Sequence, residues 1–391
     1  MILKSKLLGK YLNLLLIFLF PTQLAIHFWP NFAFVFGIRV DYLSPTIYLT
    51  DLLFISLFVP WIIRKRIKVI SDIKKYKYLL LLLFGLIVFN LFFSSVFYVS
   101  FIKWLKIIEF VALGYYVKNR EDVFSIRNVS TTLFYSLIFF SFIGVLQFFR
   151  GRTLGNILYL LGERSFNSFA GFLGASLIFL HFNYLKNINI YRFFGLLIIL
   201  SAFVLTFSSS AFVGLFFCLV LYFVFKKHIL SIKGFNLLII LFFLLSFYFS
   251  VFSGSILGSK ITLPQNFSER LELADVAGKI FSGSWTTGVG LNNFIVSGIF
   301  YANTSFGVWL LQPVHNIYLL LITEIGILGT LLLYYFISLC FVKNIKTKNT
   351  WGILIIFFIL TTGLFDHYWF TIQQNMLLLS LFLGISFREK I

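Results

Sequence analysis

Charged residues are scarce in this sequence: Asp, Glu, Lys and Arg make up 12% of its 391 residues, and only 13 positions are acidic. A soluble domain is about a quarter charged and roughly 45–50% apolar, whereas 60% of this chain is hydrophobic. The scarcity of charge excludes an ordinary soluble domain. It predicts an all-α polytopic membrane protein.

Cysteine and several catalytic motifs are also nearly or wholly missing. Cys218 and Cys340 are the only cysteines, and each lies inside an apolar run. They exclude a disulfide framework and a cysteine metal site, and we expect two reduced thiols packed in helices. There is no P-loop, no dinucleotide-binding glycine pattern, no HExxH and no DxD. Nucleotide hydrolysis and metal-dependent sugar-nucleotide chemistry therefore lack support.

Long hydrophobic runs fill most of the chain. Segments 11–28 and 235–252 contain no charged residue, and each is long enough to cross about 30 Å of hydrocarbon. Such runs predict about twelve transmembrane helices. They lie near 11–29, 43–63, 78–97, 101–117, 131–149, 166–182, 193–208, 210–225, 235–252, 316–341, 351–365 and 369–387. The first is interpreted as a retained helix, because no small-residue cleavage site ends it before Pro21 and Pro30.

Basic residues are distributed unevenly between the loops. Most of the 32 Lys and Arg fall in alternate loops that include both ends of the chain. These stretches are 4–10, 64–77, 118–127, 186–192, 226–233, 343–348 and 388–390. The positive-inside rule therefore places both termini in the cytoplasm. The net charge of +19 belongs to cytoplasmic loops, so no nucleic-acid partner is expected.

Two external stretches are long, 150–165 and 253–314, and the second lies between the ninth and tenth predicted helices. We interpret residues 1–391 as a single integral membrane domain with 253–314 as an external loop containing short helices. Segment 268–282 predicts one such helix, with Ser268 at the N-cap. Its apolar residues predict a helix lying on the membrane surface: Leu271, Leu273, Ala274, Ala277 and Phe281.

Arginines in the external stretches point to an anionic ligand, because external loops usually carry few of them. For Arg150 and Arg152, contact with lipid phosphate is an equally good explanation. Arg164 and Arg270 each lie beside a membrane-facing helix. There, two planar guanidinium groups could hold a diphosphate from opposite sides.

The segment QPVHNIYLLLITEIGILG (312–329) places His315 and Asn316 on the first turn of a helix at the outer surface. A histidine there can take a proton from a hydroxyl near neutral pH. The alternative is that Asn316 caps the helix and the His315 side chain only extends to water at the membrane surface, without a catalytic role. Glu324 lies on a different face from His315, and we expect it to bond a neighbouring helix that the following glycines allow to approach.

Four charged residues lie within predicted spans: Asp51, Lys103, Lys106 and Glu109. Lys106 and Glu109 are three apart and can pair along one helix face. Lys103 and Asp51 lie in the outer halves of their helices, which predicts either a polar pocket that opens outward or an ordinary structural ion pair.

Two more features lie on the outer side. Asp366 and His367 occupy the turn between the last two helices and could line the mouth of the same pocket. The run TTGVGLNNF (286–294) is interpreted as a turn, because cytoplasmic nucleotides do not reach it. Taken alone, the residues indicate an outer-face pocket for an anionic, lipid-linked ligand.

Four segments together resemble the O-antigen ligase and O-antigen polymerase superfamily. They are ERSFNSFAGFL (163–173), SERLELADVAGKIFSGSWTTGVGLNNF (268–294), PVHNIYLLLITEIGILG (313–329) and GLFDHYWFTIQQNMLLLSLFLG (363–384). The third resembles the family signature H-N-x-x-L-x-x-x-x-E-x-G-x-x-G. One stretch departs from the pattern, since Ser210 or Ala211 stands where relatives often have an arginine. Either Arg164 or Lys103 must replace that arginine, or the substrate differs.

The resemblance implies a metal-independent glycosyltransferase without a cofactor. Its donor would be a glycan on undecaprenyl diphosphate, and its acceptor a glycan or lipid-linked hydroxyl outside the cytoplasmic membrane. On this reading His315 deprotonates or orients the acceptor, while Arg164 and Arg270 stabilise charge on the leaving diphosphate. The remaining candidates are expected to bind substrate: Asn316, Lys103, Asp51, Asp366 and His367.

Two alternatives stay open. Ligases and polymerases differ only in their acceptor, and the His-Asn segment leads us to favour a ligase. A transporter or flippase for an anionic or lipid-linked solute is the second alternative. Transporters tend to place polar sites near the membrane midplane between repeated halves, whereas the polar residues here gather towards the outer surface.

Overall fold

The computed structural model describes residues 2–149, 166–186, 189–224, 244, 248, 265–301, 307 and 310–388. Most of these residues are helical. The helices are α1 (Ile2–Phe18), α2 (Leu49–Arg64), α3 (Arg66–Lys75), α4 (Lys77–Phe92), α5 (Phe97–Asn119), α6 (Ile126–Phe149), α7 (Phe166–Asn183), α8 (Ile190–Leu205), α9 (Ser209–Val224), α10 (Gln265–Ser284), α11 (Phe294–Gly298), α12 (Ile317–Lys346), α13 (Thr350–Gly363), α14 (Tyr368–Thr371) and α15 (Gln373–Ser386).

Each predicted span that falls within the described residues coincides with a helix. Span 235–252 lies almost entirely outside them. Several bounds differ from the prediction: α2 begins at Leu49 instead of residue 43, and α4 ends at Phe92 instead of residue 97. Helix α1 ends at Phe18 instead of continuing to residue 29, and the last span is divided into α14 and α15 by the extended backbone of Ile372.

Two described helices, α6 and α12, are long and apolar enough to cross a membrane, and the pair α3–α4, bent by 79°, adds a third if it counts as one span. Four shorter apolar stretches accompany them: Leu7–Phe18, Ile190–Leu205, Ser209–Phe223 and Thr350–Gly363. The chain is thus a mainly helical membrane protein. The total of twelve spans and the cytoplasmic position of both termini stay predictions.

The segment between α1 and α2 contains four short strands within a mainly helical structure. The first and last of them replace helix that was predicted at the end of span 11–29 and the start of span 43–63. The strands are β1 (Ala25–His27), β2 (Phe34–Val35), β3 (Ile38–Arg39) and β4 (Thr46–Tyr48). β1 pairs with β4 and β2 with β3, both antiparallel. Phe36 and Gly37 connect β2 to β3 with φ of 48° and 75°. A two-residue turn with both φ values positive matches the twist of a hairpin.

The helices pack around one large apolar core, and α5 with α15, α6 with α8, and α9 with α13 are close neighbours. A second, smaller core joins residues 29–43 to α10, α11 and the start of α12. This second core fixes the strand-containing segment against the beginning of α12, where His315 lies.

Helix α10 begins at Gln265, a turn before Ser268, so the predicted N-cap is wrong. Its apolar face was expected on the membrane surface, but protein covers it, because α10 packs on α12. Four of the five residues of that face are at most 1% exposed: Leu271, Leu273, Ala274 and Ala277.

Helix α12 is broken at Gly326, which has φ 64° and ψ −178°. Residues 285–290 lie against this break and bond its backbone groups. The hydrogen bonds run from Val289 N to Thr323 O at 2.9 Å, from Gly290 N to Glu324 O at 3.0 Å and from Ile327 N to Trp285 O at 2.9 Å. The break is therefore filled by protein backbone.

Replacement of Gly326 by alanine is expected to destabilise the protein. Its backbone conformation is almost restricted to glycine, and a side chain there costs about 1–3 kcal/mol. A Cβ atom would also collide with the carbonyl oxygen of Thr286, which adds roughly 1–3 kcal/mol of overpacking. The melting temperature of the purified protein in detergent should fall clearly for Gly326→Ala. Gly85→Ala is the matched control, because nothing lies within 4 Å of its added Cβ; an equal drop in both variants would contradict the prediction.

Candidate functional site

The turn between α13 and α14, residues 364–367, is where most of the predicted site residues meet. Asp366 and His367 belong to the turn itself. Arg270 Nη1 donates to the carbonyl oxygen of Phe365 at 3.1 Å, and Asn316 Nδ2 donates to the carbonyl oxygen of Leu364 at 3.1 Å. The turn thereby gathers side chains from α10 and the start of α12.

Asn316 is the N-cap of α12. Its Oδ1 accepts hydrogen bonds from the backbone N–H groups of Tyr318 and Leu319, both at 3.0 Å. The capping role that the sequence left open is therefore confirmed. Since Asn316 also bonds the 364–367 turn, it fixes the position of the preceding His315. A direct contact between Asn316 and substrate stays a prediction.

His315 lies next to Asp366 and His367. Its Nδ1 is 3.7 Å from Asp366 Oδ1, and 18% of its side chain is exposed. Its ring centroid is 5.2 Å from that of His367. One ligand atom from each of the three residues lies within 4.8 Å of the others, so they could together hold a metal ion. A carboxylate beside an imidazole can also orient a general base.

The pKa values of the two buried turn residues are shifted. Burial alone would raise the pKa of the Asp366 carboxyl, but the neighbouring His315 and His367 outweigh it and lower that pKa to about 2. Burial lowers the pKa of His367 to about 3, against the opposing effect of Asp366. At neutral pH Asp366 is therefore a carboxylate and His367 is an uncharged imidazole.

A cavity of about 480 Å³ lies beside this cluster, between the strand-containing segment and α5. Thr371 and Tyr42 line the cavity and connect it to the cluster. Thr371 Oγ1 is 2.7 Å from His367 Nδ1, and the Tyr42 ring is 5.7 Å from the His367 ring. Lys103 also lines the cavity. That the cavity opens outward and that Lys103 binds substrate there stay predictions.

Arg39 and His27 line the same cavity, and neither was predicted as a site residue. Arg39 Cζ lies 4.4 Å from the centroid of the Trp29 ring, which holds this cation over an aromatic face. His27 Nδ1 is 3.0 Å from the hydroxyls of Ser44 and Thr46. The sequence did contain a signal for the hairpin that carries Arg39: in the stretch FVFGIRV (34–40), a Phe-Gly pair separates two short β-prone runs.

Asp51 belongs to a polar network that joins α2, α5 and α15. It forms an ion pair with Lys106, and Lys106 Nζ is also 3.2 Å from Glu109. Asp51 Oδ2 accepts from the N–H of Tyr48 at 2.8 Å, and its Oδ1 accepts from Gln373 Nε2 at 2.6 Å. The structural ion pair that the sequence left open is confirmed. A substrate contact for Asp51 stays a prediction.

Glu324 Oε1 accepts from the N–H of Phe294, the first residue of α11, at 3.3 Å. The predicted bond to a neighbouring helix is confirmed.

Arg150, Arg152 and Arg164 lie outside the described residues, so their proposed phosphate contacts stay predictions. Of the two possible replacements for the family arginine, the described residues include only Lys103.

Comparison with known proteins supports the motif resemblance. Residues 194–334 match a family model described as O-antigen ligase. The matched range begins in α8, ends in α12 and contains both Arg270 and His315. The predicted resemblance to the O-antigen ligase superfamily is therefore confirmed over residues 194–334. A search of curated proteins finds no match to the chain.

The charge network around Lys106 gives a test of which polar residues are structural. Lys106→Met leaves the buried Asp51 carboxylate without its cation, and such a loss costs about 3–5 kcal/mol. We expect a large drop in melting temperature for Lys106→Met and a smaller one for Lys106→Arg. Adding Asp51→Asn to Lys106→Met should recover part of the loss. Failure of this double variant to recover any stability would contradict the pairing.

Proposed function

We propose that the chain is a glycosyltransferase of the O-antigen ligase type. In this proposal it transfers a glycan from undecaprenyl diphosphate to an acceptor hydroxyl at the outer face of the cytoplasmic membrane, without a metal ion. The observation that carries the proposal is the convergence of His315, Asp366 and Arg270 at one turn beside a large polar cavity. Base, orienting carboxylate and cation are the groups that this transfer needs.

His315 acts as the general base. The carboxylate of Asp366 faces its Nδ1 and would attract a proton there, which leaves Nε2 to accept the proton of the acceptor hydroxyl. Their 3.7 Å separation would shorten to a hydrogen bond when substrate binds, as catalytic hydrogen bonds often do. The low pKa of Asp366 keeps its carboxylate charged throughout, so it stabilises the imidazolium that forms.

Arg270 stabilises the leaving group. As the acceptor oxygen bonds to the sugar C1, the bond between C1 and the phosphate oxygen breaks, the proton passes to His315, and the lipid diphosphate gains negative charge. A guanidinium has five N–H donors. The hydrogen bond to Phe365 uses one of them, and the others can donate to the diphosphate. Lys103 on the cavity wall adds positive charge, and Arg164 is proposed as a second diphosphate ligand.

A transfer assay with purified protein tests this proposal. The donor is an undecaprenyl-diphosphate oligosaccharide, and EDTA is present. Loss of a general base costs about 10²–10⁴-fold in rate, so His315→Ala should lower transfer by that factor. Loss of one charge-stabilising donor costs about 10²–10³-fold, which is the drop expected for Arg270→Ala, with partial recovery in Arg270→Lys.

Matched controls are His181→Ala, in the last turn of α7, and Lys279→Ala, on the same helix as Arg270. Both should retain wild-type transfer. The acceptor used separates the two members of the superfamily: a core sugar or surface polymer identifies a ligase, and a second lipid-linked glycan a polymerase. Unchanged transfer in His315→Ala would contradict the base role. Movement of the donor across vesicle membranes without any transfer would favour a flippase.

A further inference from the structure

His315 has a ring nitrogen that is left unpaired when no substrate is bound. Its Nδ1 is buried and has no hydrogen-bond partner among the described residues. The Asp366 Oδ1 acceptor is 3.7 Å away, which is beyond hydrogen-bond range. A buried polar atom without a partner is costly, so this atom is suited to a partner that arrives from solution.

The spacing fits two ligands of one metal ion. Bonds from zinc to histidine nitrogen or carboxylate oxygen are about 2.0–2.2 Å, so two such ligands lie roughly 3.3 Å apart at the tetrahedral angle and about 4 Å apart when opposite. The 3.7 Å between His315 Nδ1 and Asp366 Oδ1 falls between these limits. His367 supplies a third ligand atom within 4.8 Å of both, and a shift of about 1 Å brings it into range.

Two of the three ligands are already oriented by hydrogen bonds. Thr371 Oγ1 lies 3.2 Å from the carbonyl oxygen of His367 and 2.7 Å from its Nδ1. The site uses the tautomer in which the hydroxyl donates to the carbonyl oxygen and accepts the Nδ1 proton. The lone pair of His367 is then on Nε2. Asp366 Oδ1 accepts from the N–H of His367 at 2.8 Å. Such second contacts commonly fix metal ligands.

We propose that His315, Asp366 and His367 form a binding site for a divalent transition-metal cation of the Zn²⁺ type, and that its occupation inhibits the transfer reaction. Two imidazole nitrogens and one carboxylate favour Zn²⁺, Ni²⁺ or Co²⁺ over Mg²⁺ and Ca²⁺. Three protein ligands leave one position for water. The inhibition rests on the proposed function: a metal on Nδ1 leaves the proton of His315 on Nε2, which then cannot accept one from a hydroxyl.

Metal binding is measured first, without any donor or acceptor. Protein stripped with EDTA and freed of chelator is titrated with Zn²⁺ by calorimetry, and with Co²⁺ by visible absorption. We expect one ion per chain. His367→Gln removes a ligand, and because even loss of a supporting contact weakens binding about 10–100-fold, we expect a loss of at least that size. Thr371→Val should weaken binding less, and His181→Gln not at all.

The melting temperature without metal checks that the variants fold. Addition of Zn²⁺ should then raise the melting temperature of the wild type but not that of His367→Gln. Wild-type affinity in His367→Gln, or no binding by the wild type, would overturn the proposal.

In the transfer assay, Zn²⁺ should inhibit glycan transfer, EDTA should restore it, and Mg²⁺ should have no effect on it. Because binding is measured without substrates, failure of the glycosyltransferase proposal would show separately, as absent transfer in EDTA.

Discussion

The break in α12 at Gly326 is the constraint on which the packing of residues 285–293 depends. A helix interrupted within a membrane exposes backbone groups that lipid cannot satisfy, so protein must bond them. The 285–290 loop does so through its own backbone, and Asn90 Nδ2 donates to the carbonyl oxygen of Glu324 at 2.9 Å. Close approach requires glycine on both sides, since a Cβ on Gly288 would collide with the Glu324 backbone.

The same loop connects the break in α12 to the cavity. After Gly290, Asn292 lines the cavity, and Asn293 joins α5, where its Oδ1 accepts from the N–H of Val96 at 2.9 Å and its Nδ2 donates to Ser100 Oγ at 2.7 Å. The start of α5 is therefore fixed relative to α12. Because α5 carries the cavity's lysines and α12 begins beside His315, the broken helix sets the distance between the cavity and His315.

Sequence alone located the helices and several site residues, but not how they meet. Hydropathy finds helices because apolar length is a local property. The burial of α10 was missed, since an amphipathic stretch looks the same whether membrane or protein covers its apolar face. The strands near Arg39 are too short for a periodic signal. That Arg270 reaches Phe365 depends on tertiary packing across 95 positions, which no local pattern encodes.

The two polar clusters each contain a buried atom without a hydrogen-bond partner among the described residues, Glu109 Oε1 in one and His315 Nδ1 in the other. Their neighbours distinguish them. Glu109 lies beside the Lys106 cation, which also pairs with Asp51, and these ion pairs join α2 to α5. His315 Nδ1 instead faces the Asp366 carboxylate and lies beside a second imidazole, that of His367. An imidazole with these neighbours can receive a proton or a metal ion, and both proposals are therefore placed at the 364–367 turn.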